Sequence, residues 1–101
     1  VKTYSFVLYV SGRTERSTAA LADLRLMCRT HIPDRFEIRV VDAAGEPGRA
    51  DEERVLATPT VVRATPPPAR RVIGDLSDID RAAAALGLLD GREMKEGNGE
   101  T

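Results

Sequence analysis

Side chains able to do covalent or metal chemistry are scarce here. The chain holds one cysteine, Cys28, and one histidine, His31. They stand three residues apart with no further ligand at metal spacing, whereas a zinc site takes three or four. Asp75, Asp78 and Asp80 cluster just ahead of an apolar stripe, where carboxylates cap a helix more readily than they hold a cation. No glycine-rich phosphate loop, no Ser-His-Asp set and no recognisable acid pair is present. These residues exclude the common catalytic classes, so the expectation is a non-enzyme without metal or cofactor. The paired cations Arg70 and Arg71 admit two readings, a binding surface or the solvated face of a strand, with one of them turned towards acids such as Asp75.

The elements that must position these residues follow from periodicity. Residues Tyr4 to Val10 are almost continuously apolar, which suits a strand covered on both faces. From Thr14 or Glu15 to His31 the apolar residues Ala20, Leu24 and Met27 recur at helical spacing, with Leu21 and Cys28 beside them and His31 at the end of the stripe. Pro33 then stops the helix. Phe36 to Asp42 alternates with period two, so Phe36, Ile38 and Val40 face one way and Glu37, Arg39 and Val41 the other.

Residues 43–50, with Gly45, Pro47 and Gly48, predict a loop, and Asp51 to Leu56 a short helix. Thr60 to Arg63 reads as a strand, and Arg70 to Gly74 as its antiparallel partner after the Pro66-Pro67-Pro68 run. Ser77 with Asp80 makes a capping-box pattern for a last helix whose stripe is Ile79, Ala82, Ala83, Leu86 and Leu89, ended by Gly91. Residues 91–101 predict a mobile polar tail. The order β-α-β-α-β-β-α is an α/β arrangement of the thioredoxin-like kind, with residues 1–90 as one domain.

That fold sharpens the question of redox chemistry. A catalytic dithiol needs Cys-x-x-Cys where the first helix begins, because the helix dipole lowers the thiol pKa there. The position reads Thr14-Glu15-Arg16-Ser17, and Cys28 lies mid-helix on the apolar stripe as a small core residue. His31, in the last turn, suits the negative end of the helix dipole.

Composition narrows the partners. Of 101 residues, 15 are Lys or Arg and 16 are Asp or Glu, a net charge of -1 that offers no general attraction for nucleic acid. The four aromatics, Tyr4, Phe6, Tyr9 and Phe36, all fall in strand runs, leaving none for a base-stacking surface. No apolar run approaches membrane-spanning length, and a lone cysteine fits a reducing compartment. A cytoplasmic protein that meets neither nucleic acid nor membrane is expected.

The residues Ala57-Thr58-Pro59-Thr60 and the run from Pro66 through Arg70-Arg71-Val72-Ile73-Gly74-Asp75-Leu76-Ser77 to Asp78 closely resemble the KaiB circadian-clock family, which shows ATPT followed by PPPxRRxIGDLSD. Val7 to Gly12, the Val41-Asp42 strand end and the Glu52 to Leu56 approach also match. The likeness covers residues 4 to 90. A related kinase sensor domain shares the amino-terminal part but not this triproline run so closely.

The resemblance implies a non-enzymatic clock adaptor that binds the ring ATPase KaiC and modulates its phosphorylation cycle, with a KaiA-like protein or a histidine kinase as further partners. The alternative is a KaiB-like domain serving a histidine kinase or a stress response outside a full oscillator. A small oxidoreductase is disfavoured by the missing second thiol. Implied contact residues are Arg39, Asp42, Arg54, Arg70 and Arg71. The resemblance further implies a second, ground-state arrangement of the carboxy-terminal half, as a homo-oligomer (tetramer or dimer), which requires two packings within a few kcal/mol.

Candidate switch positions are Pro59, expected cis as in thioredoxin-like folds, and Pro66, Pro67 and Pro68, whose bland reading is a stiff polyproline turn. Ala85 and Gly87 stand where the family commonly has Gly and Asp. Ala in place of Gly raises helix propensity by about 1 kcal/mol, which Gly87 partly offsets. The expectation is a helix unusually committed over Ala82 to Leu89.

Overall fold

The computed structural model describes residues 3–88. Strand β1 (Tyr4–Val10), helix α1 (Glu15–His31), strand β2 (Phe36–Asp42), helix α2 (Pro47–Glu52), strands β3 (Thr60–Thr65) and β4 (Arg70–Ile73), and helix α3 (Ile79–Ala85) follow in chain order. The strands form one sheet ordered β2-β1-β3-β4, in which β1 and β2 are parallel and the other two pairs antiparallel. This is the expected thioredoxin-like arrangement. Helix α1 makes the crossover that parallel neighbours require.

The continuous apolar run of β1 is explained by burial on both sides. Phe6, Leu8 and Val10 meet Leu24, Met27 and Cys28 of α1 and Ala82, Ala83 and Leu86 from the α3 segment. On the opposite face Tyr9 packs with Val41 and Val62, against Val55 beyond α2. Full burial of a side chain such as Leu24 or Met27 contributes about 1.5–3 kcal/mol.

Helix α1 starts and stops where the residue types demand. The Ser17 N–H donates to Thr14 Oγ1 at 3.1 Å, and the Thr14 N–H donates to Ser17 Oγ at 2.9 Å. This reciprocal cap satisfies two amides that the first turn leaves open. At the other end the Ile32 N–H closes on the Cys28 carbonyl at 2.8 Å, just before Pro33.

Two helices depart from expectation. Helix α2 was expected over Asp51 to Leu56 after a loop, yet it occupies Pro47–Glu52. Pro47 is the reason, since a proline in the first turn lacks only an N–H that would be unpaired anyway. Arg54 then turns left-handed at φ 59°. The Val55 N–H bonds back to the Ala50 carbonyl at 2.9 Å and the Arg54 N–H to Asp51 at 3.1 Å, which closes the helix as a Schellman motif.

Helix α3 is capped by Asp78, not by a Ser77–Asp80 box. The Arg81 N–H donates to the Asp78 carboxylate at 3.2 Å, while the Ser77 N–H is taken by Asp75 at 2.7 Å. The helix also stops early, at Ala85. Gly87 adopts φ 77°, and the Leu88 and Gly87 N–H groups bond back to the Ala83 and Ala84 carbonyls at 2.9 and 3.0 Å. The commitment expected over Ala82 to Leu89 is overruled by the freedom of glycine at this one position. Leu89, the 1–90 boundary and the tail over 91–101 lie outside the described residues.

Strand β3 runs two residues beyond the expected Thr60 to Arg63, and β4 ends at Ile73 before Gly74 at φ 96°.

Candidate functional site

The redox position of the fold is built without sulfur. Thr14, Glu15, Arg16 and Ser17 line a cleft of about 460 Å³ opposite Thr58 and Pro59. The Thr58–Pro59 bond is cis, as are Thr65–Pro66 and Pro67–Pro68. Thr14 and Ser17 spend their hydroxyls on the cap of α1. Cys28 is 0% exposed in the core, and burial pushes its thiol up to about 12. A thiol held protonated and out of reach is no nucleophile at neutral pH. His31 sits in the last turn of α1, and neither of its ring nitrogens has a hydrogen-bond partner. Among the described residues no group of His, Cys, Asp and Glu could hold a metal ion, and no helix is long and apolar enough to cross a membrane.

The five residues implied as contacts divide among three places. Arg39 is exposed on β2, one edge of the sheet. Asp42 ends the same strand, and its carboxylate accepts the Gly12 N–H at 3.1 Å and the Ala44 N–H at 3.0 Å. Those backbone donors hold it below the ordinary carboxylate range. Asp42 therefore ties the β1 and β2 ends together.

Arg71 and Arg54 come together at the opposite edge. Arg71, on β4, donates from Nη2 to the Glu53 carbonyl at 2.8 Å and to the Glu53 carboxylate at 3.0 Å. Its Nη1 donates to the Arg54 carbonyl at 3.4 Å. It does not turn to Asp75, because strand alternation directs it to the α2 side of the sheet, where the end of α2 offers two unpaired carbonyls. Arg70, one residue earlier, projects to the other face over Gly87, where an added Cβ would lie 3.2 Å from its Nε. The pair on one strand thus serves two different surfaces.

Arg54, which closes α2, is itself exposed. Its left-handed backbone occupies the position after a helix where glycine is favoured, and a non-glycine residue there costs about 1 kcal/mol. Two residues on, Leu56 is 92% exposed. Ile73, on the same face of β4 as Arg71, is 59% exposed. Arg54 and Leu56 thus stand exposed two residues apart, just past the end of α2. Leu56 was missed as an exposed residue because a helix expected through it would have given it a place to pack.

Arg63 was missed as well. It is 4% exposed on β3, with Nη1 donating to the Leu86 carbonyl at 3.0 Å and Nη2 to the Pro68 carbonyl at 2.8 Å. The available signal was its period-two relation to Val61, which faces the core. Ala85 is exposed at the last position of α3, and Gly87 is buried after it. Pro66, Pro67 and Pro68 form the turn between β3 and β4.

Comparison with known proteins extends these observations. Residues 7–88 match the model of the KaiB domain family. A circadian clock oscillator protein KaiB of Prochlorococcus marinus is 44% identical over 88 residues, covering 87% of this chain and 75% of that protein. One from Nostoc punctiforme is 40% identical over 99 residues, covering 98% and 94%. In fold, the chain is similar to the amino-terminal domain of Synechococcus elongatus SasA, with a TM-score of 0.69 at 19% identity, covering 85% of each chain. It is also similar to mitochondrial thioredoxin 3 from Saccharomyces cerevisiae, with a TM-score of 0.62 at 15% identity, covering 79% of this chain and 76% of that one. With a family model spanning both halves and relatives above 40% identity over most of its length, the chain belongs to the KaiB family.

Proposed function

We propose that the protein is a non-enzymatic circadian-clock adaptor that binds a KaiC-type ring ATPase and modulates its phosphorylation cycle. The observation that carries this reading is the 44% identity, over 87% of the chain, to circadian clock oscillator proteins. A non-catalytic role is supported by the capped Thr14–Ser17 turn standing where a dithiol would be needed, and by the buried thiol of Cys28.

Arg54 and Leu56 supply the binding face, with Arg71 fixing the backbone that presents them. Arg39, exposed on the far edge of the sheet, is the contact for a further partner such as a KaiA-like protein, and Arg70 lies on the opposite face. The thioredoxin-like arrangement is the binding-competent one. A ground-state homo-oligomer with a rearranged carboxy-terminal half is its counterpart, with Pro59, Pro66, Pro67, Pro68, Ala85 and Gly87 in the segment that changes.

Size-exclusion chromatography of the chain mixed with a KaiC hexamer tests the reading. Co-elution, abolished by Arg54→Glu, is the expected result. No co-elution in any phosphorylation state of the ring would overturn it. The second reading, a KaiB-like domain acting with a histidine kinase or in a stress response, is favoured only by likeness of fold to the SasA domain, and that is a weaker ground than family membership.

A further inference from the structure

A charge buried in the middle of a four-stranded sheet needs a reason. Arg63 lies on the α1/α3 face of β3, where its neighbours Val61 and Phe6 are core residues. Among the described residues no carboxylate forms a salt bridge with it. Its partners are two backbone carbonyls and the face of Tyr4, whose ring centre lies 5.8 Å from the guanidinium carbon. Nε has no hydrogen-bond partner. A cation so placed is favourable only where its hydrogen bonds and local field are good.

The end of α3 supplies that field. The helix carries no basic residue in its own last turn. Its terminal carbonyls form the negative end of the helix dipole, and Leu86 offers one of them. Arg63 brings from β3 the cation that α3 lacks. Its second nitrogen holds the Pro68 carbonyl, so one planar group spans the proline turn and the helix end, a task the fork geometry of arginine suits and lysine does not.

Gly87 completes the arrangement. A Cβ there would stand 2.7 Å from Arg63 Nη1, and its φ of 77° already disfavours other residues. We propose that Arg63 is a latch, fastening the proline turn and the end of α3 to the inner strand β3, and that Gly87 is the slot into which it closes. Releasing it frees the α3 end while leaving β1 and β2 paired.

Amide hydrogen exchange on the full chain tests this. In Arg63→Met the amides of Leu86, Gly87 and Leu88 exchange about ten- to a hundredfold faster, as loss of two charge-assisted hydrogen bonds implies. The amides of β1 and β2 keep their rates. Unchanged exchange at the α3 end, or equal acceleration everywhere, would overturn the latch. Should Arg63→Met leave no folded protein, Arg63→Lys, which keeps the charge but lacks the planar fork, must show the same local acceleration or the proposal fails. Gly87→Ala tests the slot. It accelerates the α3 end more in the wild-type background than in Arg63→Met, whereas equal effects in both would refute a direct coupling.

Discussion

Residues 4–42 and residues 47–88 share one sheet but are held by different means. The first region is a parallel strand pair with a 17-residue crossover helix, and seven consecutive residues of β1 pair with seven of β2. Its helix caps itself. The second region has helices of six and seven residues and a four-residue edge strand. Helices that short do not persist on propensity alone. They are secured one residue at a time: Arg71 on the end of α2, Arg63 on the end of α3, and Asp75 and Asp78 ahead of α3. Packing of long elements in one region and single-residue fastening of short ones in the other meet in one shared core.

The largest effect is expected where the two regions share a core. Leu24→Ala, at a site on α1 with no exposure and in the core shared with α3, should cost about 2–5 kcal/mol. Urea unfolding followed by circular dichroism would show both regions lost in one transition. A separate transition for each would break the picture of a shared core. Arg71→Met should be milder, about 1–3 kcal/mol, because its bonds to the Glu53 and Arg54 carbonyls are partly solvated. Hydrogen exchange should place the change in residues 53–58 and β4, with β2 unaffected.

The smallest effect is with pH, and it compares one carboxylate from each region. Asp42 and Asp75 are both held below 3.8 by backbone N–H donors, from Gly12 first in one case and Ser77 in the other. A depressed folded-state pKa stabilises fully above the ordinary value, and that stability is lost as pH falls through the lowered one. Carbon-detected titration of the two side chains should place both midpoints below 3.8. A midpoint at or above that value would remove the corresponding turn from the account.

Legibility in the sequence divides along the same line. The bounds of β1, α1 and β2 were readable because long elements repeat their period enough times to be unambiguous. The absence of a dithiol at Thr14–Ser17 followed from them, whereas the thioredoxin-like order rested on all seven elements. In the second region a single residue outweighs the period. Pro47 starts α2 four residues early, Arg54 ends it before Leu56, and Gly87 ends α3 before Leu89. The positional preference of proline was available as a signal. The left-handed turn at Arg54 was not, since nothing in an arginine announces it. The split of Arg70 from Arg71 was half visible in strand alternation, but the carbonyls that receive Arg71 exist only once α2 ends where it does.

Arg54 joins the fold to the proposed function most directly, because its backbone favours glycine while its side chain faces solvent beside Leu56. Isothermal titration of Arg54→Gly and the wild type into a KaiC hexamer separates the two demands. Relief of the left-handed strain leaves the variant at least as stable as the parent, and loss of the guanidinium weakens its affinity for the ring by tenfold or more, on the order of 1.4 kcal/mol. Affinity equal to or tighter than the wild type would contradict the account, for the cation would then have no task that a glycine could not perform.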